Sequence, residues 1–528
     1  MSAVFSKSVP ASDISASAGN SFRKFFHLLW FRESLIFILC FLFFGYFACL
    51  GIDPHHDGVM MIPALRVAEG QVIFRDVFYQ YGLLVPLLQG MAVALFGAEL
   101  LVIRLLTVCF YAGSAVLLDV LWKRFLPSKI SFLVPVLFCL FSACTMVTFH
   151  SWSSVYALFF MLLYALFMLR YLEKESSSFW NLFFAGVSAG LTWGCRTPCG
   201  AVTIFAAMLV LLGLNWFTGK NIRQIARENG VFAGGVLTFA ALAVIYISVS
   251  GAWDDFIKQN FSYVADFVYG RGAGGSWQYF CDSMFPFFQD EYWFCNAFFA
   301  FMPLLAMTML YLDGRRGIFD GTAKMREILP LAALLILGLG SWHQYYPVPC
   351  VRHLYWGGAP LIGAFLFAVC RLWQSKKLLS MGLVIFLLLV LVLGIYPRIY
   401  GIYMRAEWGT RYHSVTPGIR GIKLSSKEKN IVDFVKAGEA AGREFGGFVN
   451  WGSESLFSVM VERDGFQDLQ FYRTNNKQYP DYDGKVMQYV IEKRPAVMVD
   501  QDIFIPGYRV VAAAEYMGKY YFLQIPDK

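Results

Sequence analysis

The sequence predicts an all-α polytopic membrane protein of about eleven transmembrane helices that ends in a small α/β domain. Three observations predict it. Hydrophobic residues fill 58% of the 528 positions and charged residues only 15%, against roughly 25% charged in a soluble globular chain. Apolar runs close to the roughly 20 residues that a bilayer core requires recur from Ser34 to Pro397. Beyond Arg398 the apolar runs shorten to strand length, and charge and turn residues return.

Taken in order, the expected spans are Ser34–Ile52, Leu100–Leu121, Ile130–Phe149, Ser154–Leu172, Phe179–Cys195, Pro198–Phe217, Gly230–Ser250, Tyr292–Leu312, Ile328–Trp342, Trp356–Trp373 and Leu378–Pro397. Residues 1–33 form a cytoplasmic tail whose first part is rich in Ser and Ala, and no small-residue cleavage site precedes the first span, which therefore stays as an anchor. Leu83–Gly97 is a further apolar stretch, and the basic residues decide its nature. If it does not span, the cytoplasmic side holds Arg23, Lys24, Arg32, Lys123, Arg124, Lys129, Arg170, Lys174, Lys220, Arg223, Arg227, Arg315, Arg316, Lys324, Arg326, Arg371, Lys376 and Lys377. The opposite loops hold only Arg66, Arg75, Arg196, Lys258, Arg271 and Arg352. Lys and Arg collect on the cytoplasmic side, so Leu83–Gly97 is read as an interfacial helix. The transmembrane unit then covers 34–397 with a large external loop at 53–99, and the α/β domain, 398–528, is exported. In that tail, Ser425–Gly442 opens with a Ser cap and an acidic first turn and reads as a helix, while Phe445–Trp451, Ala496–Asp500, Tyr508–Ala512 and Tyr520–Ile525 read as strands.

The net charge of +8 follows from the same basic loops, so no nucleic-acid partner is expected. The eleven cysteines are scattered without paired metal spacing, and Cys195 and Cys199 read as small buried thiols at helix ends.

The unusual segment is the loop after the first span, Asp53-Pro54-His55-His56-Asp57-Gly58, continuing to Arg75-Asp76 and Tyr79-Gln80-Tyr81-Gly82. Titratable groups pressed against a membrane face cost free energy unless paired or hydrated, so catalysis and a plain solvated turn both fit. A metal site built from Asp53, His55, His56 and Asp57 is not expected, because adjacent histidines point apart and no second ligand pair sits at a recognised spacing.

In this loop an acidic residue follows the first span, then come Glu69-Gly70, Phe74-Arg75-Asp76 and Gln80-Tyr81-Gly82, an apolar helix closed by Phe96-Gly97, and Arg104. The order resembles the first external loop of GT-C glycosyltransferases, the class of the protein mannosyltransferases and the lipid A aminoarabinose transferases. The similarity extends to Gly190–Arg196, to Tyr346–Pro360 and to the exported tail. The resemblance implies a sugar donor on a polyprenyl phosphate and an acidic base in the first external loop. That base falls on Asp57, with Asp53 and Asp76 in reserve because the Asp-Glu pair of many relatives is Asp57-Gly58 here, and with His56 sharing or orienting the proton. A carboxylate accepts the hydroxyl proton of the acceptor as that oxygen attacks the anomeric carbon, which inverts the centre.

The departing lipid phosphate needs cations or donors. The external side offers Arg196, Lys258, Arg271, Arg352 and His353, with His55, Arg75 and Tyr81 beside them in the first loop. Arg196 is the most pointed, since the flanking spans leave it little loop in which to escape. Arg352-His353 follows a Pro-rich turn, with interfacial anchoring as the equal alternative. Tyr269–Gly275 is glycine-rich but opens no βαβ unit and is not read as a phosphate loop.

The expected activity is inverting transfer of a hexose or pentose from polyprenyl phosphate to a glycan, lipid or protein acceptor at the outer face of a bacterial inner membrane. No cofactor is expected, with a divalent cation left open. A transporter or flippase is the second class. It would concentrate ionisable groups at mid-membrane in two related halves, whereas here they lie at the edge. A glycan polymerase or ligase is the third, and it is disfavoured because the exported mass is C-terminal.

Overall fold

A computed structural model of the chain describes residues 31–146, 148–173, 178–265, 293–320, 322–344, 351–405, 411–452, 454–461, 482–500 and 503–527. It is a bundle of helices carrying a small mixed sheet formed by the C-terminal residues.

The first helix, α1 (Phe31–Ala48), ends just before the loop singled out in the sequence. Three helices follow: α2 (Pro54–Ala68), α3 (Leu84–Phe96) and α4 (Leu100–Trp122). Among the described residues, eight helices are long and apolar enough to cross a membrane: α1, α4, Ser153–Glu173, Thr197–Trp216, Ile222–Val249, Asn296–Arg315, Arg352–Ser375 and Lys377–Gly401. The chain is thus a multi-pass membrane protein. The other three expected spans are helical but fall short of the full length: Ser128–Ala143, Phe179–Cys195 and Ile328–Gln344. The first of these stops early because residues 144–146 and 148–152 leave the helix and bring His150 to the site.

Contacts between loops sort the chain into two ends. At one end Arg32 pairs with Asp119 and donates to Ser131, Lys123 pairs with Glu33, Arg124 with Glu173, and Lys220 with Glu228. At the other end Asp53 meets His150, Arg196 meets Ser154, and Gln259 bonds the backbone of Phe74 and Tyr79. Ser128–Ala143 therefore also carries the chain from one end to the other, with Ser131 at the first and His150 beyond its far end at the second.

α3 is only 13 residues long, shorter than the helices that are long enough to cross a membrane. Leu95 and Phe96 are exposed on it, while Gly90 packs so tightly on Val67 of α2 that a Cβ would lie 2.5 Å from that side chain. Its Gln89 is fully buried and donates to the Ser151 carbonyl and to Tyr156, holding the loop through His150 and Trp152.

In the C-terminal part, β1 (Tyr412–His413) and β2 (Lys423–Leu424) pair antiparallel. The four strands β3 (Phe448–Trp451), β4 (Ala496–Asp500), β5 (Tyr508–Tyr516) and β6 (Lys519–Pro526) form one sheet in the order β3-β4-β6-β5. β3 and β4 run parallel and the other pairs antiparallel. Val449, Trp451, Val497 and Val499 pack against Val486 and Val490 of the Tyr482–Lys493 helix. β5 outruns its expected end because β5 and β6 form a hairpin whose two turn residues, Met517 and Gly518, sit at φ +53° and +75°, the geometry that matches strand twist in a two-residue loop. The Ser426–Gly442 helix starts as the sequence indicated: Ser425 caps it, and Ser425 with Glu428 completes a capping box.

Candidate functional site

Asp53 is the N-cap of α2. Its Oδ1 accepts the His56 backbone N–H at 3.0 Å, and Pro54 occupies the first turn, where a missing N–H costs nothing. The Asp-Pro-His-His run is therefore a helix start, and the cap turns His56 back over Asp53. Asp53 Oδ2 lies 2.8 Å from His56 Nδ1 and 3.2 Å from His150 Nε2. Burial by itself raises the Asp53 pKa, but the two imidazoles outweigh it and hold this carboxyl far below the usual carboxylate range. Burial pushes His150 down to about 4, with the positive charge of Arg352 acting in the same direction against Asp53.

His150 Nδ1 stands 2.7 Å from the Thr148 carbonyl, so it carries the ring proton of the neutral imidazole. Its Nε2 can bond Asp53 Oδ2 only as a donor, with a second ring proton, so a proton or a cation belongs between them. Asp53, His56 and His150 place their ligand atoms within 4.8 Å of one another. A carbonyl bond that fixes the tautomer of a histidine, with the other nitrogen aimed at a carboxylate, is the usual support of a metal-ligating imidazole. These residues fit a divalent cation with an open coordination position. They differ from the set weighed on sequence, since Asp57 and His55 face elsewhere and His150 takes their place.

Asp57 is committed to α4. Its Oδ2 accepts from Arg104 Nη2 at 2.7 Å and from the Asp53 N–H at 2.8 Å, and the two side chains of the ion pair are 1% and 0% exposed. Arg104 Nη1 donates to the carbonyls of Ala48, Leu50 and Gly51, which satisfies the open end of α1. Burial pushes Asp57 up to about 6, with Arg104 opposing. The pair ties the loop to the bundle.

An aromatic row leads away from the Asp53 cluster. The His56 ring meets those of His150 at 4.9 Å and Trp152 at 5.5 Å, Trp152 meets Tyr81 at 5.4 Å, and the Arg196 guanidinium lies 5.7 Å from the centre of Tyr81. Arg196 also donates to Ser154 Oγ, and burial raises the Tyr81 hydroxyl pKa. The result is a line from acid–base cluster through two aromatic faces to a cation.

The other expected residues lie around this line or apart from it. His55 stands 3.9 Å from Glu454 of the C-terminal part. Arg75 and Asp76 pair with each other, Arg75 reaching the Ser250 carbonyl and Asp76 the Val72 N–H. The hydrogen bonds from Arg75 hold Asp76 below its ordinary pKa, and neither residue touches Asp53. Lys258 is exposed at the start of a π-helical turn, Lys258–Ser262. Arg352 begins a helix, and the His353 ring lies 5.8 Å from that of Trp356. Arg271, the Tyr269–Gly275 segment and the Pro347–Cys350 turn lie outside the described residues. Sequence reasoning missed His150 and Trp152. Their signal was positional: His150-Ser151-Trp152 is the short connection between two spans on the same side as Asp53.

The fold, a helical bundle whose first long loop meets a C-terminal α/β unit, is shared with a solved structure. Over 96% of its length the chain matches ArnT from Cupriavidus metallidurans in the apo state, covering 98% of that chain with a TM-score of 0.53 at 12% identity. The same protein bound to undecaprenyl phosphate matches over 95% of this chain and 98% of its own (TM-score 0.49, 11% identity). The Archaeoglobus fulgidus oligosaccharyltransferase in complex with zinc and sulfate matches over 88% of this chain and 68% of its own (TM-score 0.48, 11% identity). No protein-family model and no curated protein sequence matches the chain.

Proposed function

We propose that the chain is a membrane-embedded glycosyltransferase that moves a sugar, hexose or pentose, from a polyprenyl-phosphate carrier to a hydroxyl acceptor on a glycan, lipid or protein, with inversion. The observation that carries the proposal is the line Asp53–His56–His150, Trp152–Tyr81, Arg196. It supplies, in sequence, a proton acceptor, flat apolar faces for a sugar ring and a cation for a phosphate. The fold, shared with ArnT, supports the same reading.

Asp53 rather than Asp57 is assigned as the working carboxylate, because Asp57 is spent on Arg104. With Nδ1–H of His56 donated to Asp53 Oδ2, the Nε2 of this partly exposed ring takes the proton of the acceptor hydroxyl, in the manner of a carboxylate-oriented histidine base. The freed acceptor oxygen forms a bond to the anomeric carbon. The bond from that carbon to the phosphate oxygen breaks, and its electron pair leaves on the lipid phosphate, whose charge faces Arg196. Asp53 stabilises the imidazolium that results.

The lone-pair geometry of His150 favours a second reading of the same cluster, in which Asp53, His56 and His150 hold a divalent cation. When bound, such an ion supplies Lewis-acid stabilisation of a developing anion. A chelator separates the two readings: transfer that survives it belongs to the histidine base, and transfer restored only by added metal belongs to the cation. Outward orientation of the site and residence in the bacterial inner membrane are part of the proposal.

Mass spectrometry of lipid-linked sugars and surface glycans in cells with and without the protein tests the function. Loss of the protein is expected to leave one polyprenyl-phosphate sugar in excess and one glycan short of that sugar. Unchanged profiles of both contradict it.

A further inference from the structure

The residue that leads into Asp53 is Ile52, and side chains from far down the chain take both of its backbone hydrogen-bonding groups. The Ile52 N–H donates to Glu428 Oε1 at 2.9 Å, and the Ile52 carbonyl accepts the Tyr516 hydroxyl at 3.1 Å. That carbonyl belongs to the same peptide plane as the Asp53 N–H, which donates to Asp57 Oδ2 at 2.8 Å. A peptide is planar, so gripping its oxygen and its N–H at once leaves the following Cα, and with it the Asp53 carboxylate, one orientation.

Neither gripping group is free to drift. Glu428 Oε2 accepts the Ser425 N–H at 2.7 Å within the capping box, which fixes the carboxylate against its own helix. Tyr516 closes β5, is 8% exposed and sits in register with Lys519 of β6. The preceding residues are held as well: the Gly51 N–H donates to the Lys423 carbonyl at 2.9 Å, and the Lys423 N–H to the Cys49 carbonyl at 2.8 Å. Gly51 stands at φ +61°, and a Cβ there would lie 2.6 Å from Glu428 Oε1, so only glycine admits this carboxylate.

We infer that Glu428 and Tyr516 are positioning residues of the site, through which the C-terminal α/β unit sets the geometry of Asp53. The inference rests on Asp53 being the working carboxylate. Docking alone would not call for two side chains of the C-terminal unit to take both backbone groups of the one residue that leads into Asp53. Reacting groups tolerate displacements of roughly 0.5 Å, and a misplacement of about 1 Å costs on the order of 100-fold in rate.

The test uses the full chain in membranes. Tyr516→Phe removes only the hydroxyl. It is expected to lower kcat by on the order of 10- to 100-fold while KM for the lipid-linked donor stays within about twofold, and to speed hydrogen exchange at the backbone amides of 52–57. Glu428→Ala is expected to do the same. Wild-type kcat in Tyr516→Phe and Glu428→Ala overturns the inference. So does a loss of rate that only tracks the fraction of folded protein. Absence of sugar transfer in the wild-type chain would overturn the glycosyltransferase reading instead. Amide exchange then decides the clamp by itself, and unchanged exchange at 52–57 in Tyr516→Phe removes it.

Discussion

At the scale of single residues, the two aspartates at the start of α2 have divided their work. Asp57 pairs with a fully buried guanidinium, and removing one partner of such a pair leaves an uncompensated buried charge at a cost of roughly 3–5 kcal/mol. Asp57→Asn is therefore expected to lower the thermal midpoint of the detergent-purified protein. Asp53→Asn, at a carboxylate that two imidazoles face, is expected to leave the midpoint nearly unchanged and to abolish transfer. Equal midpoints for the two variants would remove the division of labour.

The pKa of Asp57 carries a second expectation. Its folded value of about 6 lies above the ordinary carboxyl value of 3.8, so the folded state keeps a proton that the unfolded state releases. The stability from this group is fully present below pH 3.8 and is lost as pH rises through about 6. In chelator, the fall of the midpoint between pH 4.5 and 7 is expected to be smaller in Asp57→Asn than in the parent, and an identical slope counts against the assignment. The acidic run was legible in the sequence. Which aspartate reacts was not, because that depends on Arg104, about 50 residues away in the chain, and on a helix cap that only the folded loop reveals.

At the scale of elements, the site is where four pieces of chain meet: the start of α2, the stretch through Tyr81 before α3, the loop through His150 and Trp152 and the turn at Arg196. The last two connections are short, so their spans bring them to the cluster without long excursions. Trp152 is the member whose loss separates binding from chemistry. With its ring between His56 and Tyr81, Trp152→Ala is expected to raise the donor KM by about tenfold, the scale of one aromatic stacking contact. An unchanged KM in a folded variant would take the sugar face away from this residue.

Gly58 probes the opposite contact. A Cβ there would stand 2.2 Å from Ser455 Oγ and 2.3 Å from the Leu456 backbone N, so Gly58→Ala is expected to cost about 1–3 kcal/mol by overpacking. A wild-type midpoint in that variant would show that the C-terminal part does not rest on α2 there. Among the described residues, every span expected from apolar run length is helical. One end was misplaced, Phe149 against Ala143, because periodicity does not mark where a chain leaves the helix to build a loop. The capping box at Ser425 was legible because caps are local. The grip of that same helix on Ile52 was not, because it joins positions 376 apart.

At the scale of the whole molecule, basic residues predicted which loops share a side, and the contacts agree: Asp53 with His150, Arg196 with Ser154, and the C-terminal sheet with the loop after α1. The charge pattern and the contact pattern have separate physical origins, one in membrane insertion and one in packing, so their agreement constrains the topology more than either does. A reporter fused after Lys528 is expected to be active only outside the cytoplasm. Cytoplasmic activity would place the whole site on the other face.

On the proposed function, the Asp53 cluster transfers a sugar from a polyprenyl-phosphate donor. The most direct measurement follows lipid-linked sugars by mass spectrometry in cells that lack the protein and are complemented with the parent chain or with Asp53→Asn at equal membrane abundance. The account predicts that the parent consumes the accumulated donor and restores the sugar to its glycan, while Asp53→Asn leaves both as they were. Full restoration by Asp53→Asn would contradict it.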